Sequence, residues 1–406
     1  MTYYMLPNIE YYIRDVNIKI AFNEKTIKEP KKIYSLQKYL SKIKSLIDKH
    51  ITDWEIIKKY TNPYEFVHTT IPGQKFGVSK YRPISRAFYK IMEIYNTHNL
   101  LSSEAPIKSF HLAEGPGGFV ESTAYIRNTT EDSYNAITLI DENSNIPDWK
   151  KAANIMHKYK NINIEYGVEN KGDLYNHKNL MKFKEKYKNS MDIITADGGF
   201  DFSNDYNNQE KCAFRLLFTQ VAYAITIQKQ HGHFILKIFD IFEQSTRELI
   251  YLLSCMYENV YISKPHTSRY ANSEKYVVCK NFKFIHNRDE ISNKFINILK
   301  IFESVDFNKY EITSVINIPV HSYYKNNIRE INAILAHQQI DNILTTIKII
   351  THKDRKNDRI YSLKNNNIQK CINWCINNNV PYNKNYQSNN IFLGERTKSF
   401  KKFKKS

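Results

Sequence analysis

Glycine is scarce in this chain. Only 11 of its 406 residues are glycine, and ten of those lie between Gly73 and Gly232. A chain so sparing of glycine places it where a Cβ would not fit or where φ must be positive. Five glycines fall in two tight groups, Gly115-x-Gly117-Gly118 and Gly198-Gly199. Cysteine is also rare. Cys212, Cys255, Cys279, Cys371 and Cys375 are scattered, odd in number and free of any CxxC pair. That suits a reducing compartment and excludes a disulfide framework. Cys371 and Cys375 are one helical turn apart, but no neighbouring Cys or His completes a zinc set, so they read as a buried helix face and no metal is expected. No apolar run approaches the roughly 18 residues of a membrane span. The opening MTYYMLPNIEYYIRD has neither the basic nor the apolar part of a secretory signal. No membrane partner is therefore expected.

Acidic residues are outnumbered, 41 against 59 Lys and Arg, for a net charge of +18. Such an excess favours a polyanionic partner, usually nucleic acid. It is uneven: residues 351–406 hold 13 basic and 3 acidic side chains, a net of +10. A solvated basic tail would look the same. Aromatics are plentiful, with 30 Tyr and 22 Phe, and some could stack on bases, although most read as core.

Along the chain, residues 1–30 read as irregular. Lys32 to His50 is helical, with Ile33, Leu36, Leu40, Ile43 and Ile47 on one stripe. Trp54 to Tyr60 continues as helix until Asn62-Pro63 breaks it. Ser85 is a plausible N-cap for a helix from about Arg86 to Tyr95, which contains Lys90. The centre alternates. Strands are expected at 109–113, 135–140, 161–166, 192–197, 233–238, 259–263 and 276–280, with helices at 118–128, 148–159, 177–187, 208–229 and 245–257. Such alternation implies a mostly parallel sheet covered on both faces. The last two strands are joined by only Lys264 to Lys275, too short for a helical crossover, so they should be antiparallel. Residues 283–350 read as helices, Ile291 to Val305 and Ile328 to Ile350. Beyond them lie Asn-rich runs, with Ile368 to Ile376 as a candidate helix and KKFKKS as a mobile end.

One stretch organises the rest. In Ser109 to Glu121 (SFHLAEGPGGFVE) a short apolar strand breaks at glycines and restarts as a helix, which is the first half of a nucleotide-binding α/β unit. The helix N-terminus offers free N–H donors there. In an open α/β sheet, ligands sit beyond the carboxyl ends of the strands. Asp197 ends DIITAD, Lys237 closes HFILK, and Glu274 opens a strand running the other way, so all three share one edge. Lys90, on the helix before the sheet, is the fourth member. Alone, each could be a capping Asp or an outward-pointing Lys. Two lysines and two carboxylates at one edge form a candidate acid–base constellation.

At this point the chain resembles a known family. The stretches Asn62 to Glu65 (NPYE), Ser85 to Lys90 (SRAFYK), Gly115 to Phe119 (GPGGF), Gly172-Asp173-Leu174, Ala196 to Phe200 (ADGGF), Gly232 to Phe239 (GHFILKIF), Lys264-Pro265 and Ser268 to Cys279 (SRYANSEKYVVC) are, in this order, similar to the FtsJ-like (RrmJ-type) ribose 2′-O-methyltransferases. They are more similar still to the cap-specific mRNA 2′-O-methyltransferases of eukaryotes and large DNA viruses. The similarity runs from about residue 55 to 285 and leaves 1–50 and 300–406 uncovered.

The resemblance implies a Rossmann-like S-adenosylmethionine-dependent methyltransferase fold: α/β, a mostly parallel seven-stranded sheet with its last strand antiparallel, and helical extensions at both ends. The expected division is a helical extension at 1–60, the methyltransferase domain at 61–285 and a helical, basic extension at 286–406. It maps the family's K-D-K-E tetrad onto Lys90, Asp197, Lys237 and Glu274, with Lys237 as general base for a ribose 2′-OH. Lysine ordinarily titrates near ~10.4, so a base working near neutrality must be lowered by burial and by a second ammonium such as Lys90. It implies S-adenosylmethionine as cofactor, held by Ala113, Glu114, Gly115, Pro116, Gly117, Gly118 and Phe119, by Asp173 and Leu174, by Asp197, and by Asp141 at the end of the second strand. Glu114 departs from the small residue often found there and adds charge near the donor's methionine end. Lys58, Lys59, Arg86, Arg269 and Glu274 are the candidate RNA- or cap-binding residues, with Lys75, Lys80 and Arg82 extending the basic run towards Lys90. The implied partner is capped mRNA, and other capping or transcription proteins are admitted. The alternatives are a ribosomal-RNA 2′-O-methyltransferase of the same fold and a silent RNA-binding subunit. The Asn/Lys/Ile/Tyr-rich composition resembles proteins of AT-rich large DNA viruses, giving an expectation of host cytoplasm or virion, or nucleus for a cellular enzyme.

Overall fold

The computed structural model describes residues 1–25, 35–141, 147–199, 208–352, 356–384 and 386. In chain order the elements are β1 (Thr2–Met5), β2 (Ile18–Glu24), α1 (Ser35–Lys44), α2 (Ile51–Thr61), α3 (Ala87–His98), β3 (Lys108–Leu112), α4 (Gly118–Arg127), β4 (Ser133–Ile137), α5 (Ala153–Lys158), β5 (Ile162–Glu165), α6 (His177–Tyr187), β6 (Met191–Ala196), α7 (Gln209–Ile227), β7 (Gln228–Ile238), α8 (Gln244–Met256), β8 (Tyr257–Lys264), β9 (Lys275–Phe282), α9 (Arg288–Ser304), β10 (Tyr310–Ile316), α10 (Ser322–Thr351) and α11 (Lys356–Asn377). An eight-stranded sheet runs β1-β8-β9-β7-β6-β3-β4-β5. Its central pairs, β7 with β6, β6 with β3, β3 with β4 and β4 with β5, are parallel. β9 runs antiparallel between β7 and β8, placing Tyr276 opposite Lys237. The antiparallel final strand expected from its short connection is therefore present.

The central strands form because they are apolar on both faces: Ile193, Ile194 and Ala196 of β6 and Phe234, Ile235 and Leu236 of β7 are buried, as a parallel sheet between helix layers requires. Polar residues within this layer satisfy one another. His111 of β3 bonds Ser109 Oγ at 2.9 Å and Thr195 Oγ1 at 2.8 Å. Burial drives its pKa down to about 3, so it is neutral.

Two expectations are corrected. The first 30 residues are not irregular throughout. β1 adds an eighth strand, pairing antiparallel with β8 from Thr2 against Lys264 to Met5 against Tyr261, and β2 pairs with β10 in a separate two-stranded sheet. β10 itself lies where only helices were expected. These strands are short or half-exposed, so apolar alternation is faint, although Ile312, Thr313, Val315 and Ile316 are β-branched.

Helix α11 packs on α3 rather than trailing from the fold. Ile368, Cys371, Ile372, Trp374 and Cys375 of α11 are buried in one cluster with Phe88, Tyr89 and Met92 of α3. The two cysteines thus lie on a buried helix face. Trp374 Nε1 also donates to Glu93 Oε2 at 3.1 Å. α3, which carries Lys90, is held from behind by α11. Residues 387–406, with KKFKKS, lie outside the described residues.

Candidate active site at the carboxyl edge of the sheet

β3 ends at Leu112, and the turn into α4 uses backbone that ordinary residues avoid. Ala113 has φ 52° and Gly117 has φ 117°. Gly118 cannot carry a side chain without displacing α3, because a Cβ would lie 2.3 Å from Ser85 Oγ and 3.0 Å from the Ala87 Cβ. Phe119 and Val120, the next residues of α4, have free backbone N–H groups. Glu114 folds back onto them. Its Oε1 accepts from Phe119 N at 2.6 Å and Val120 N at 2.9 Å, while Oε2 is buried without a partner. Burial raises its pKa well above the usual carboxylate range, and the Asp197 charge adds to that against the N–H bonds and Lys237.

The loop after β5 comes to the same edge. Gly172 has φ 62°, and a Cβ there would meet Thr138 O at 1.9 Å. Asp173 Oδ1 accepts from Tyr175 N at 2.8 Å, and Leu174 is buried. Ile140 N donates to Lys171 O at 2.8 Å, which brings Asp141 beside this loop. Asp141 is exposed, and residues 142–146 after it lie outside the described residues.

Across the edge, the other four candidates meet in two pairs. Lys237 Nζ, at the end of β7, lies 3.3 Å from Asp197 Oδ1 and donates to Asp197 O at 2.5 Å. Gly199 leaves room for it: a Cβ there would sit 3.0 Å from Lys237 Nζ. Lys90 Nζ donates to Glu274 Oε2 at 2.8 Å. Each of the four side chains is only 11–18% exposed, so the pairs line a recess rather than a solvated surface. Burial disfavours the Glu274 carboxylate, but Lys90, Lys237 and Lys264 outweigh it and hold its pKa well below the usual range. Phe200, the end of the ADGGF stretch, lies outside the described residues.

Three residues in the matched stretches were assigned no role from sequence. Tyr276 OH donates to Asp197 Oδ1 at 3.3 Å. Lys264 Nζ donates to Asn272 O at 2.8 Å and to Glu274 O, fixing the start of β9. Glu65, of the NPYE stretch, gathers the arginines. Arg269 reaches it with Nε at 3.0 Å and with a terminal nitrogen at 2.6 Å, and Arg86 lies 3.7 Å away while donating to Thr267 O at 2.8 Å. Burial opposes the Glu65 charge, yet the two arginines bring its pKa down to about 2. Arg86 and Arg269 thus stand beside the recess as anchored cations. Lys58 is ion-paired with Glu55, and Lys59 is half-buried. Lys75, Lys80 and Arg82 are exposed, with Arg82 over the Phe76 ring at 4.4 Å.

A parallel sheet with one reversed strand, a glycine turn opening a helix, and paired lysines and carboxylates at the carboxyl edge define a Rossmann-like methyltransferase. Residues 83–282 match the sequence model of the FtsJ-like methyltransferases. It is 28% identical over 277 residues to the cap-specific mRNA (nucleoside-2′-O-)-methyltransferase 2 of Danio rerio, covering 62% of this chain and 35% of that one. It is 31% identical over 231 residues to the cap-specific mRNA (nucleoside-2′-O-)-methyltransferase 1 of Homo sapiens, covering 55% and 27%. The chain therefore spans about a third of the length of these relatives. Among solved structures it is similar to a ribosomal RNA methyltransferase from Plasmodium falciparum, at 21% identity over 49% of this chain and 97% of that one, with a TM-score of 0.35, too low to bear on the assignment. Among the described residues, no helix is long and apolar enough to cross a membrane, and no three His, Cys, Asp or Glu side chains are placed to hold a metal ion.

Proposed function

We propose that the chain is an S-adenosylmethionine-dependent ribose 2′-O-methyltransferase that acts on capped mRNA and methylates the first transcribed nucleotide. The observation that carries this reading is the Lys237–Asp197 pair beside the Lys90–Glu274 pair, on the edge that also holds the Ala113–Phe119 turn. The unpartnered oxygen of Glu114 fits a ligand lying along that turn.

Residues 113–119 would hold the amino-acid end of the donor, Asp173 and Leu174 its adenine, and Asp141 its ribose. When bound, the donor supplies an electrophilic methyl group on a sulfonium. Lys237 Nζ, in its unprotonated form, would take the proton of the ribose 2′-hydroxyl, freeing that oxygen to attack a methyl group whose bond to sulfur breaks as the new one forms, the sulfur leaving as a thioether. Asp197, held by Tyr276, orients the Lys237 side chain. Glu274, fixed by Ser268 Oγ at 2.8 Å and by Lys90, offers its carboxylate to the incoming hydroxyl. Arg86 and Arg269 stand where phosphates flanking that ribose would pass, as phosphate contacts position the substrate. Relatives whose names state cap-specific 2′-O-methylation support mRNA as the substrate.

The test is methyl transfer from labelled S-adenosylmethionine to N7-methyl-capped, unmethylated-capped and triphosphate-ended forms of one RNA, with nuclease mapping of the label. Label confined to the first transcribed nucleotide of capped RNA is the expected result. Equal labelling of uncapped RNA, or labelling at internal sites, would move the assignment to a ribosomal-type enzyme.

A further inference from the structure

Glu114 is 3% exposed and makes only half the hydrogen bonds a carboxylate can. Oε1 is saturated by two N–H groups at the head of α4, a helix of ten residues. Oε2 is enclosed and has no partner. A half-satisfied buried carboxylate costs free energy unless something completes it. Among the described residues no cation is bonded to it; the Asp197 charge disfavours its ionisation further, and Lys237 opposes that. The surroundings are equally unfinished. Ser85 Oγ, against Gly118, and Trp149 Nε1, of the indole beside Gly117, are also buried without partners. Polar atoms orphaned together on one turn mark a place that a ligand finishes.

A compact cation with N–H donors would complete Oε2 and at the same time offset the burial that disfavours the Glu114 charge. From this we infer that Glu114 Oε2 is the receptor for the α-ammonium of the methyl donor, so that Glu114 both caps α4 and reads the amino-acid end of the ligand. The inference rests on the reading of residues 113–119 as the donor turn. It assigns Glu114 a role the turn does not require, since the N–H groups of α4 could be capped by any carboxylate or amide oxygen. Glu114 is then a specificity-determining residue: it separates donors and products that carry the ammonium from adenosine thioethers that do not.

The experiment is calorimetric titration of the full chain with S-adenosylhomocysteine, which carries the α-ammonium, and with 5′-methylthioadenosine, which lacks the amino-acid end altogether. Glu114→Gln keeps an oxygen for Phe119 N and Val120 N but loses the charge. A charge-assisted hydrogen bond is worth roughly twice a neutral one, so Glu114→Gln should weaken S-adenosylhomocysteine at least ~10-fold while leaving 5′-methylthioadenosine within about threefold. Equal weakening of both ligands, or no weakening of either, overturns the inference and leaves the donor reading intact. Failure of the wild-type chain to bind S-adenosylhomocysteine overturns both. Should Glu114→Gln not fold, the wild-type chain is titrated with the deaminated analogue of S-adenosylhomocysteine, which keeps its carboxylate. A loss of ~10-fold or more relative to the parent supports the ammonium contact, and unchanged affinity overturns it.

Discussion

Around the Ala113–Phe119 turn, Glu114 Oε2, Ser85 Oγ and Trp149 Nε1 are buried without partners. A short way along the same edge, Lys90 is paired with Glu274, Lys237 with Asp197, and Arg86 and Arg269 with Glu65. One region is left incomplete and the other is closed on itself. A buried polar atom without a partner is costly, so the donor side is stable only to the extent that binding later repays it. Paired charges are the opposite case. They are held before substrate arrives, so orientation costs little at the moment of reaction. On the proposed function, the chain leaves recognition of the small ligand open and sets the acid–base groups in advance.

The largest effect is expected where that contrast is broken on the acceptor side. Lys237→Ala removes the group proposed to take the ribose proton and should lower methyl transfer by roughly 10²–10⁴-fold, the usual contribution of a general base. S-adenosylhomocysteine affinity and RNA affinity should stay within a few-fold. Residual turnover above a tenth of the wild-type rate would remove Lys237 from the role of base.

Glu65 comes next. Its pKa of about 2 in the folded chain, against about 4.5 unfolded, makes it a stabilising carboxylate above pH 4.5. The contribution is lost as pH falls through about 2. With its side chain 1% exposed, the shift corresponds to about 3 kcal/mol at neutral pH. Glu65→Gln should cost about that much in denaturant unfolding at pH 7 and progressively less below pH 4.5. If the cost does not shrink in acid, the arginines are not what stabilises the charge.

Much of this was legible in the sequence, but not evenly. The parallel core showed itself because β6 and β7 carry short apolar runs, Ile193-Ile194 and Phe234 to Leu236, the Asp197 and Lys237 positions follow from where those strands end, and Glu274 from where β9 begins. The edge strands β1, β2 and β10 did not, since a four-residue strand with alternate residues exposed carries almost no periodic signal. α11 was recognised only around Ile368 to Ile376, because its buried stripe is thinly spread through asparagines. The anchoring of Arg269 on Glu65 joins residues 204 positions apart, and no local pattern encodes it. The backward fold of Glu114 depends on the N–H groups of a helix that starts four residues later, so the sequence marked the charge but not its direction.

Gly118 offers a way to sharpen the comparison, because there the two regions touch. Gly118→Ala would drive a methyl group against Ser85 Oγ, the Ala87 Cβ and, at 3.2 Å, Phe88 N, so α3 must move away from α4. Overpacking of this kind costs typically ~1–3 kcal/mol. Since α3 carries Lys90, methyl transfer should fall further than S-adenosylhomocysteine affinity. A variant that loses only donor affinity would mean the two sides are mechanically independent.

The last effect, a slope with pH, concerns a lysine that is neither orphaned nor paired with a carboxylate oxygen. Lys264 is enclosed, and burial lowers its pKa to about 7, with Lys275 and Lys90 acting in the same direction against Glu274 and Asp240. Its bonds go to the Asn272 and Glu274 carbonyls, which a neutral amine also satisfies. Between pH ~7 and ~10.5 the unfolded chain holds a proton here that the folded chain has released, so this group makes stability rise with pH across that window, by at most about 1.4 kcal/mol per unit. Lys264→Met removes that slope. The stability difference between wild type and variant should therefore move in favour of wild type as pH is raised from 7 to 9.5 in urea titrations, whatever its sign at pH 7. A difference that does not change with pH would mean that Lys264 stays charged, and that the closed region tolerates an enclosed ammonium whose hydrogen bonds go only to carbonyls.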